Sequence, residues 1–440
     1  MVAMYVLCSY NKDIMVPEQQ LRQRPLAYST LYVDMNSFFA SVEQYYQPRL
    51  RGLPVAVCAG TADTCTVLAA SIQAKKFGVR TGTKVADAKR MCPDIVCTNG
   101  DHQRYRAVHK EFMEILHNTT CYVEARGIDE AFMKLPRWSC SQEFALSLAK
   151  EIKSNMLSKY SEHILCSIGI GANIWLAKMA AGCRKPNGLT IIGRDLPDWL
   201  SKWRLTDMVG INRRMARQFV QRDIYTPTDL YNASMLYLRS IWGVNGVKWY
   251  LRLRGVEVDR SAPSENKMLG HQITTLPNAP KNIEEITTYC VRIATTLGKR
   301  LRNKGLFARY MGLHILYVDF ESEYFDLRTT RNFHADSEII TYSKTLLKKL
   351  RNIRPVRRIS MYLSDLTSHY QPYLPLEVIA SKPLTASDIS DTINNRFASE
   401  VMLPASSFFA KSIRLDRVGF GGDQVKESYK YNLGYLDGGS

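Results

Sequence analysis

Three carboxylates carry the strongest chemical signal in this chain. Asp34 ends one apolar run, and the adjacent pair Asp129-Glu130 sits inside another. Thr30-Leu31-Tyr32-Val33 is rich in β-formers and leads straight into Asp34, while Ile128 and Ala131-Phe132 flank the acidic pair. Strands this apolar lie inside sheets, where charge is expensive unless a cation or base compensates it. Side chains alternate faces along a strand, so Asp129 and Glu130 can serve one site only near a strand end or a bulge. Without the apolar flanks the pair would read as solvated hairpin charge. Hard oxygen donors with no nearby His or Cys cluster suit magnesium. Two Mg2+ ions held by three carboxylates would stabilise both the attacking and leaving oxygens of a phosphoryl displacement. Polymerases, nucleases and nucleotide cyclases share that chemistry.

The elements that must position these groups follow from periodicity. After Asp34, Asn36 or Ser37 can cap a helix with Phe38, Phe39 and Val42 on its apolar side. Pro54–Cys58 and Thr66–Ala70 read as strands, and Ser71–Phe77 as a helix stopped by Gly78. Tyr105, Val108, Phe112, Ile115 and Leu116 recur at helical spacing across Gln103–His117. Cys121–Glu124 and Ile128–Met133 form a hairpin-like pair about Arg126-Gly127. Phe144–Tyr160 and Ile174–Ala181 are helical, Cys166–Ile170 is a strand, and Leu189–Ile192 is another after Pro186-Asn187-Gly188. This pattern predicts an α/β or α+β catalytic core of about 190 residues. Leu205–Gly255 reads as nearly all helical, broken at Gly210 and at Gly243-Val244-Asn245-Gly246. Val258–Lys267 reads as a linker, Gly270–Phe420 as a separate α+β module and Asp423–Ser440 as a mobile polar tail.

Charge points to the partner. Lys plus Arg number 59 against 41 acids, a net charge of +18 that favours an extended polyanion. Lys299, Arg300, Arg302 and Lys304 cluster in one amphipathic stretch, and Lys348, Lys349, Arg351, Arg354 and Arg357 in a second. Folded faces with basic rims favour nucleic acid over membrane. Hydrophobic residues at 45% and charged residues at 23% exclude collagen, coiled coil and wholesale disorder. No run approaches the ~20 apolar residues of a membrane span, and Met1–Cys8 is too short for a signal peptide. Ten cysteines, without a C-x-x-C pair, read as reduced thiols of a cytoplasmic protein.

Val33-Asp34-Met35-Asn36-Ser37-Phe38-Phe39-Ala40-Ser41-Val42-Glu43 resembles the opening motif of the Y-family translesion DNA polymerases. Gly127-Ile128-Asp129-Glu130-Ala131-Phe132 resembles their second catalytic motif, which usually begins with Ser. In the same order follow likenesses to the fingers motif (Ala74–Val79), the late palm motif (Ser167–Lys178 and Arg184–Gly188) and the thumb hairpin (Val209-Gly210-Ile211). The last, Arg417–Gly421, resembles the end of the little finger. The resemblance implies an α+β right-hand polymerase. Its palm would span 28–39 and 93–194, short fingers 40–92, and a helix-hairpin-helix thumb 195–256. A linker at 257–268, an α+β little finger at 269–422 and a tail at 423–440 complete the layout. It implies that Asp34, Asp129, Glu130 and the Met35 carbonyl hold two Mg2+ ions. The amides of Ser37, Phe38 and Phe39, with Lys75 and Lys185, would bind the incoming deoxynucleotide. Phe39 falls at the steric gate against a 2′-hydroxyl; outside the motif it would read as a core aromatic, and Lys185 as a turn lysine. Gly210 and Asn212 of the thumb, and Arg300, Arg302, Lys304, Arg357 and Arg358 of the little finger, would contact primer–template DNA.

Departures from the pattern are informative. Ile72 and Lys75 stand where many members carry a triphosphate-gripping Tyr and Arg, which tilts the subfamily toward the UmuC type over the DinB type. Asn212 replaces a glycine in the thumb hairpin, a substitution that tolerates left-handed backbone. Small residues Ala69, Ala70 and Ser71 imply a roomy pocket open to distorted templates. Gln371-Pro372-Tyr373-Leu374-Pro375-Leu376 resembles the peptide with which bacterial replication proteins bind the sliding clamp, through Gln371, Leu374 and Leu376; the competing reading is a connecting loop. The expected function is lesion-bypass DNA synthesis in DNA repair or the SOS response to damage, in a bacterial-type, nucleoid-associated setting that leaves an accessory subunit open. A family member that binds DNA and clamp without chemistry is the alternative, and a nucleotide cyclase a remote third.

Overall fold

The apolar run ahead of Asp34 becomes the central strand of a five-stranded sheet. A computed structural model of the chain describes residues 26–60, 62–119, 121–136, 140–259, 268–275, 279–350, 352–369, 385–397 and 401–405. It divides into two compact units, the first within Met1–Arg260 and the second within Ser261–Gln424. The first contains strands β1 (Thr30–Met35), β2 (Val55–Cys58), β3 (Val67–Ala70), β4 (Val96–Asn99), β5 (Tyr122–Ala125), β6 (Glu130–Lys134), β7 (Cys166–Gly171) and β8 (Leu189–Ile191). The second contains β9 (Met268–Thr274), β10 (Ala308–Tyr317), β11 (Ser322–Phe333) and β12 (Val356–Ser364).

The main sheet of the first unit runs β5-β6-β1-β7-β8, with β1 antiparallel to both neighbours. Helix Ile174–Cys183 lies across β1 and β7, and Ile174, Ala177 and Ala181 pack on Tyr32 and Phe132. The approach is close because β7 carries Gly169, whose Cβ would fall 2.0 Å from the Ala177 carbonyl oxygen. Asp34 lies two residues beyond Tyr32 and therefore faces the same way. A smaller sheet, β3-β2-β4, packs its own apolar core around Val67, Val79 and Val85. Val96–Asn99 joins it by parallel pairing with β2, although it lies beyond the 40–92 segment expected from the sequence.

Short helices from Leu196 to Leu253 pack around Leu205, Phe219, Leu230 and Trp249. Gly243 precedes helix Val244–Leu253, but Gly246 lies inside it and does not break it. A Cβ there would meet the Leu238 carbonyl oxygen at 1.9 Å, so the glycine permits helix contact. Glu257 and Asp259, expected in a linker, are tied to the first unit through Lys134 and Arg252.

The second unit is a four-stranded antiparallel sheet of order β11-β10-β12-β9. Helices Ile283–Asn303 and Asp336–Leu347 supply Ile293, Leu297 and Ile339 to a core shared with Leu313, Ile315 and Ile359. The opposite sheet face carries Tyr310, His314, Tyr324, Arg358 and Tyr362.

Candidate active site

Register decides which acids meet. Asp34 on β1 stands directly opposite Glu130 on β6, and opposite Ser167 on β7. Opposed residues of an antiparallel pair share a face, with Cβ atoms about 4.5–5.5 Å apart. Asp129 precedes β6 and escapes the alternation. The Arg126 and Gly127 amides both donate to the Glu130 carbonyl, at 2.9 and 3.1 Å, closing a tight turn. The Asp129 carbonyl accepts from the Met35 amide at 2.9 Å. A Cβ at Gly127 would lie 3.2 Å from Asp129 Oδ1 and 3.7 Å from Glu130 Oε1, so one oxygen of each carboxylate lies beside this glycine.

Two lysines offset part of this charge. Lys178 Nζ donates to both Glu130 oxygens, at 2.9 and 2.8 Å, and to the Tyr32 hydroxyl at 3.1 Å. Lys185 Nζ lies 2.6 Å from Asp34 Oδ1. Burial pushes the Asp34 carboxyl above its usual range, against the pull of Lys185. Asp129 is raised to about 6, by burial first and then by the negative charges of Asp34 and Glu130. Among the described residues, no three or more His, Cys, Asp or Glu side chains close into a metal-binding group. Asp34 and Glu130 are each drawn to an ammonium instead. The donor set is nonetheless oxygen-only, and its excess negative charge disfavours ionised Asp129, an environment a hard divalent cation would relieve. The residues fit such a cation.

Beside the acids stands helix Phe38–Tyr46, with Ser37 in left-handed backbone at its start (φ 50°). The Ser37 side chain makes no capping bond; its Oγ accepts from Lys75 Nζ at 2.8 Å. Lys75 has its pKa lowered, by burial and then by Lys185, so the two ammoniums lie within each other's field. Phe39 stacks on Tyr105, with centroids 4.6 Å apart and planes 24° from parallel. Tyr105 in turn donates to Glu43 Oε1 at 2.8 Å. Glu43 is 1% exposed and also accepts from Arg104, Gln47 and the Asp101 amide.

Comparison with known proteins identifies the family. Residues 33–182 match the model of the impB/mucB/samB family, and 266–374 match that of its C-terminal domain. A DNA polymerase IV of Pelotomaculum thermopropionicum is 32% identical over 88% of this chain and 98% of its own length. DNA polymerase IV 1 of Halalkalibacterium halodurans is 30% identical over 84% of this chain and 91% of its own. A solved Y-family DNA polymerase chimera built on Dbh has 25% identity and a TM-score of 0.65, covering 76% of this chain and 98% of the chimera. The chain belongs to the Y-family of lesion-bypass DNA polymerases. The UmuC-type preference rests on Ile72 and Lys75 alone; the relatives named here carry the polymerase IV name.

Several residues expected to contact DNA in this polymerase are used otherwise. Arg302 is 5% exposed and lies 2.7 Å from Asp336 and 2.6 Å from Asp391, so its guanidinium is committed to the fold. Asn212 has φ −84° rather than left-handed backbone, and its Oδ1 accepts from the Met215 amide to cap helix Arg213–Val220. The left-handed position is Gly210, φ +97°, above the Trp249 ring. Arg300 donates to the Gly270 carbonyl at 3.1 Å. Arg357 lies over the Phe320 ring, Arg358 lies on the open sheet face, and Lys304 caps the end of helix Ile283–Asn303. Ala70 and Ser71 are buried, and Ser71 caps helix Ile72–Lys76, so only Ala69 of the three small residues is partly exposed. Gln371, Leu374, Leu376 and the Arg417–Gly421 motif lie outside the described residues. Sequence reasoning missed Lys178 as a site residue. Its signal was a lone lysine amid the buried Ile174, Ala177 and Ala181 of one helix.

Proposed function

We propose that this polymerase adds deoxynucleotides to a primer 3′ end against templates with distorted bases. The observation that supports it most is the register that sets Asp34 opposite Glu130, with Asp129 in the field of both and with Lys185 and Lys75 beside them. Asp34, Asp129, Glu130 and the Met35 carbonyl would hold two magnesium ions, which when bound lower the pKa of the primer hydroxyl and neutralise charge on triphosphate and pyrophosphate. Lys185 and Lys75 pair with triphosphate oxygens as point charges, in place of a bidentate arginine. The amides of Ser37, Phe38 and Phe39, at a helix start that no side chain caps, receive the remaining oxygens. Phe39, backed by Tyr105, closes the space a 2′-hydroxyl would need.

The layout assigns the main sheet to the palm, β2–β4 to the fingers, the helices after Pro197 to the thumb and the second unit to the little finger. The open face of that last sheet, with Arg358 and the stacked Tyr310, Tyr324 and Tyr362, is apt for primer–template DNA. One solved relative is titled an insertion ternary complex of Dbh DNA polymerase, which accords with DNA and nucleotide as partners. Gln371, Leu374 and Leu376 are proposed to bind the sliding clamp. Replacing Gln371 and Leu374 with Ala should weaken clamp-stimulated synthesis and spare the basal rate. Among the described residues no helix is long and apolar enough to cross a membrane; a cytoplasmic, nucleoid-associated location follows from the substrate.

Primer extension with Mg2+ on undamaged and abasic templates, each nucleotide supplied separately, tests this reading. Inactivity on every template with DNA still bound would favour a family member that binds DNA and clamp without chemistry. Phe39→Ala should raise ribonucleotide incorporation about 10²-fold; unaltered sugar selectivity would move the gate elsewhere.

A further inference from the structure

The turn that carries Lys185 is held from three directions by side chains outside it. Asn36, two residues beyond Asp34, accepts the Asn187 amide on Oδ1 at 2.7 Å. Its Nδ2 donates to Ser167 Oγ at 3.0 Å, and that oxygen accepts the Gly188 amide at 3.2 Å. From helix Gln142–Tyr160, Lys153 Nζ reaches the Asn187 carbonyl at 2.7 Å, Asn187 Oδ1 at 2.5 Å and the Cys166 carbonyl at 3.2 Å. An ammonium has three N–H donors, and each finds one acceptor here. Asn36 and Ser167 are 4% and 0% exposed, so the bond between them is made away from competing water, while the Lys153 bonds to Asn187 lie at the exposed surface. Ser167 also stands directly opposite Asp34. The ends of β1 and β7, which fix the acid, therefore fix the lysine turn as well.

We propose that Lys153, Asn36 and Ser167 form a latch that positions Lys185 for the incoming triphosphate, and that Lys153 sets nucleotide affinity although its bonds, among the described residues, reach only Asn187 and the Cys166 carbonyl. The latch rests on the nucleotide-binding role given to Lys185 above. None of the three side chains needs to touch substrate. They act by removing motion from a turn whose lysine must meet a phosphate oxygen, and a displacement of about 1 Å can cost up to about 10²-fold in such a geometry.

Single-turnover extension of an undamaged primer–template with Mg2+ separates nucleotide Kd from maximal rate. Lys185→Ala should weaken nucleotide Kd about tenfold or more. Lys153→Met should weaken it about three- to tenfold, with the maximal rate within about twofold and DNA affinity unchanged. In the Lys153→Met/Lys185→Ala double variant, Kd should be no weaker than in Lys185→Ala alone, because the latch acts only through that lysine. Ser167→Ala, a smaller change, repeats the cycle should Lys153→Met fold poorly. A strong Lys185→Ala effect with no effect of Lys153→Met and Ser167→Ala, or with multiplicative losses in the doubles, would overturn the latch and leave the Lys185 role standing. No effect of Lys185→Ala would remove that role, and the latch with it.

Discussion

Basic and acidic side chains pair at nearly equal distances in two places, and the pairs differ in kind. In the first unit Lys178 lies 2.8 Å from Glu130 and Lys185 2.6 Å from Asp34. In the second, Arg302 lies 2.7 Å from Asp336 and 2.6 Å from Asp391. Exposure separates them: the lysine side chains are 31% and 41% exposed, the arginine 5%. Chemistry separates them too. An ammonium on a flexible stem can give way to a better cation, whereas a guanidinium fork bonded to two acids and the His334 carbonyl cannot leave without stranding them. The first cluster is an exchangeable charge arrangement, which the proposed function gives to a substrate; the second is a joint. A basic residue in a cationic stretch thus says little about nucleic acid until its partners are known.

The largest effect should come from taking an acid out of the first cluster. Asp129→Ala should lower extension by about 10³-fold or more while leaving DNA Kd within about twofold, because phosphate contacts elsewhere carry binding. An unchanged rate would remove the metal assignment and with it the contrast between the two clusters. Next in size is the joint. Arg302→Ala should cost about 3–5 kcal/mol in urea unfolding, since the buried Asp336 and the partly buried Asp391 lose their cation. Arg358→Ala should cost under about 0.5 kcal/mol yet reduce the salt slope of DNA binding by about 1. If Arg302→Ala left stability intact and flattened the salt slope, Arg302 would be a DNA contact after all.

What could be read in advance follows the same line. The apolar periodicity that made Thr30–Met35 a strand and Gln142–Tyr160 a helix is local, and acids within apolar runs announced Asp34, Asp129 and Glu130. The fate of Arg302 depends on Asp336 and Asp391, 34 and 89 residues on, and no local pattern announces such partners. Glu43 meets Tyr105 across 62 residues, so the support behind Phe39 was equally hidden. Asn212 illustrates a different gap. Asn suits both left-handed turns and helix caps, and only the approach of helix Arg213–Val220 chooses the cap. Val96–Asn99 was missed because parallel pairing with β2 is a non-local choice.

A pH-dependent prediction bears most directly on whether the first cluster is poised for a cation. Asp129 has its pKa raised from 3.8 to about 6, so the folded protein holds that proton more tightly than the unfolded chain. The resulting contribution to stability is fully present below about pH 4 and is lost as pH rises through about 6. Asp129→Asn carries no charge at any pH. In EDTA it should therefore exceed wild type in stability above pH 6 by about 1–2 kcal/mol once solvent screening is allowed for, with the difference vanishing near pH 4. Added Mg2+ should narrow the gap at neutral pH, because a cation that binds only the folded acid stabilises wild type selectively. Thermal melts across pH, with and without Mg2+, read this directly. A variant less stable than wild type at pH 7.5 in EDTA would make Asp129 a structural anchor, and the two clusters would then be alike.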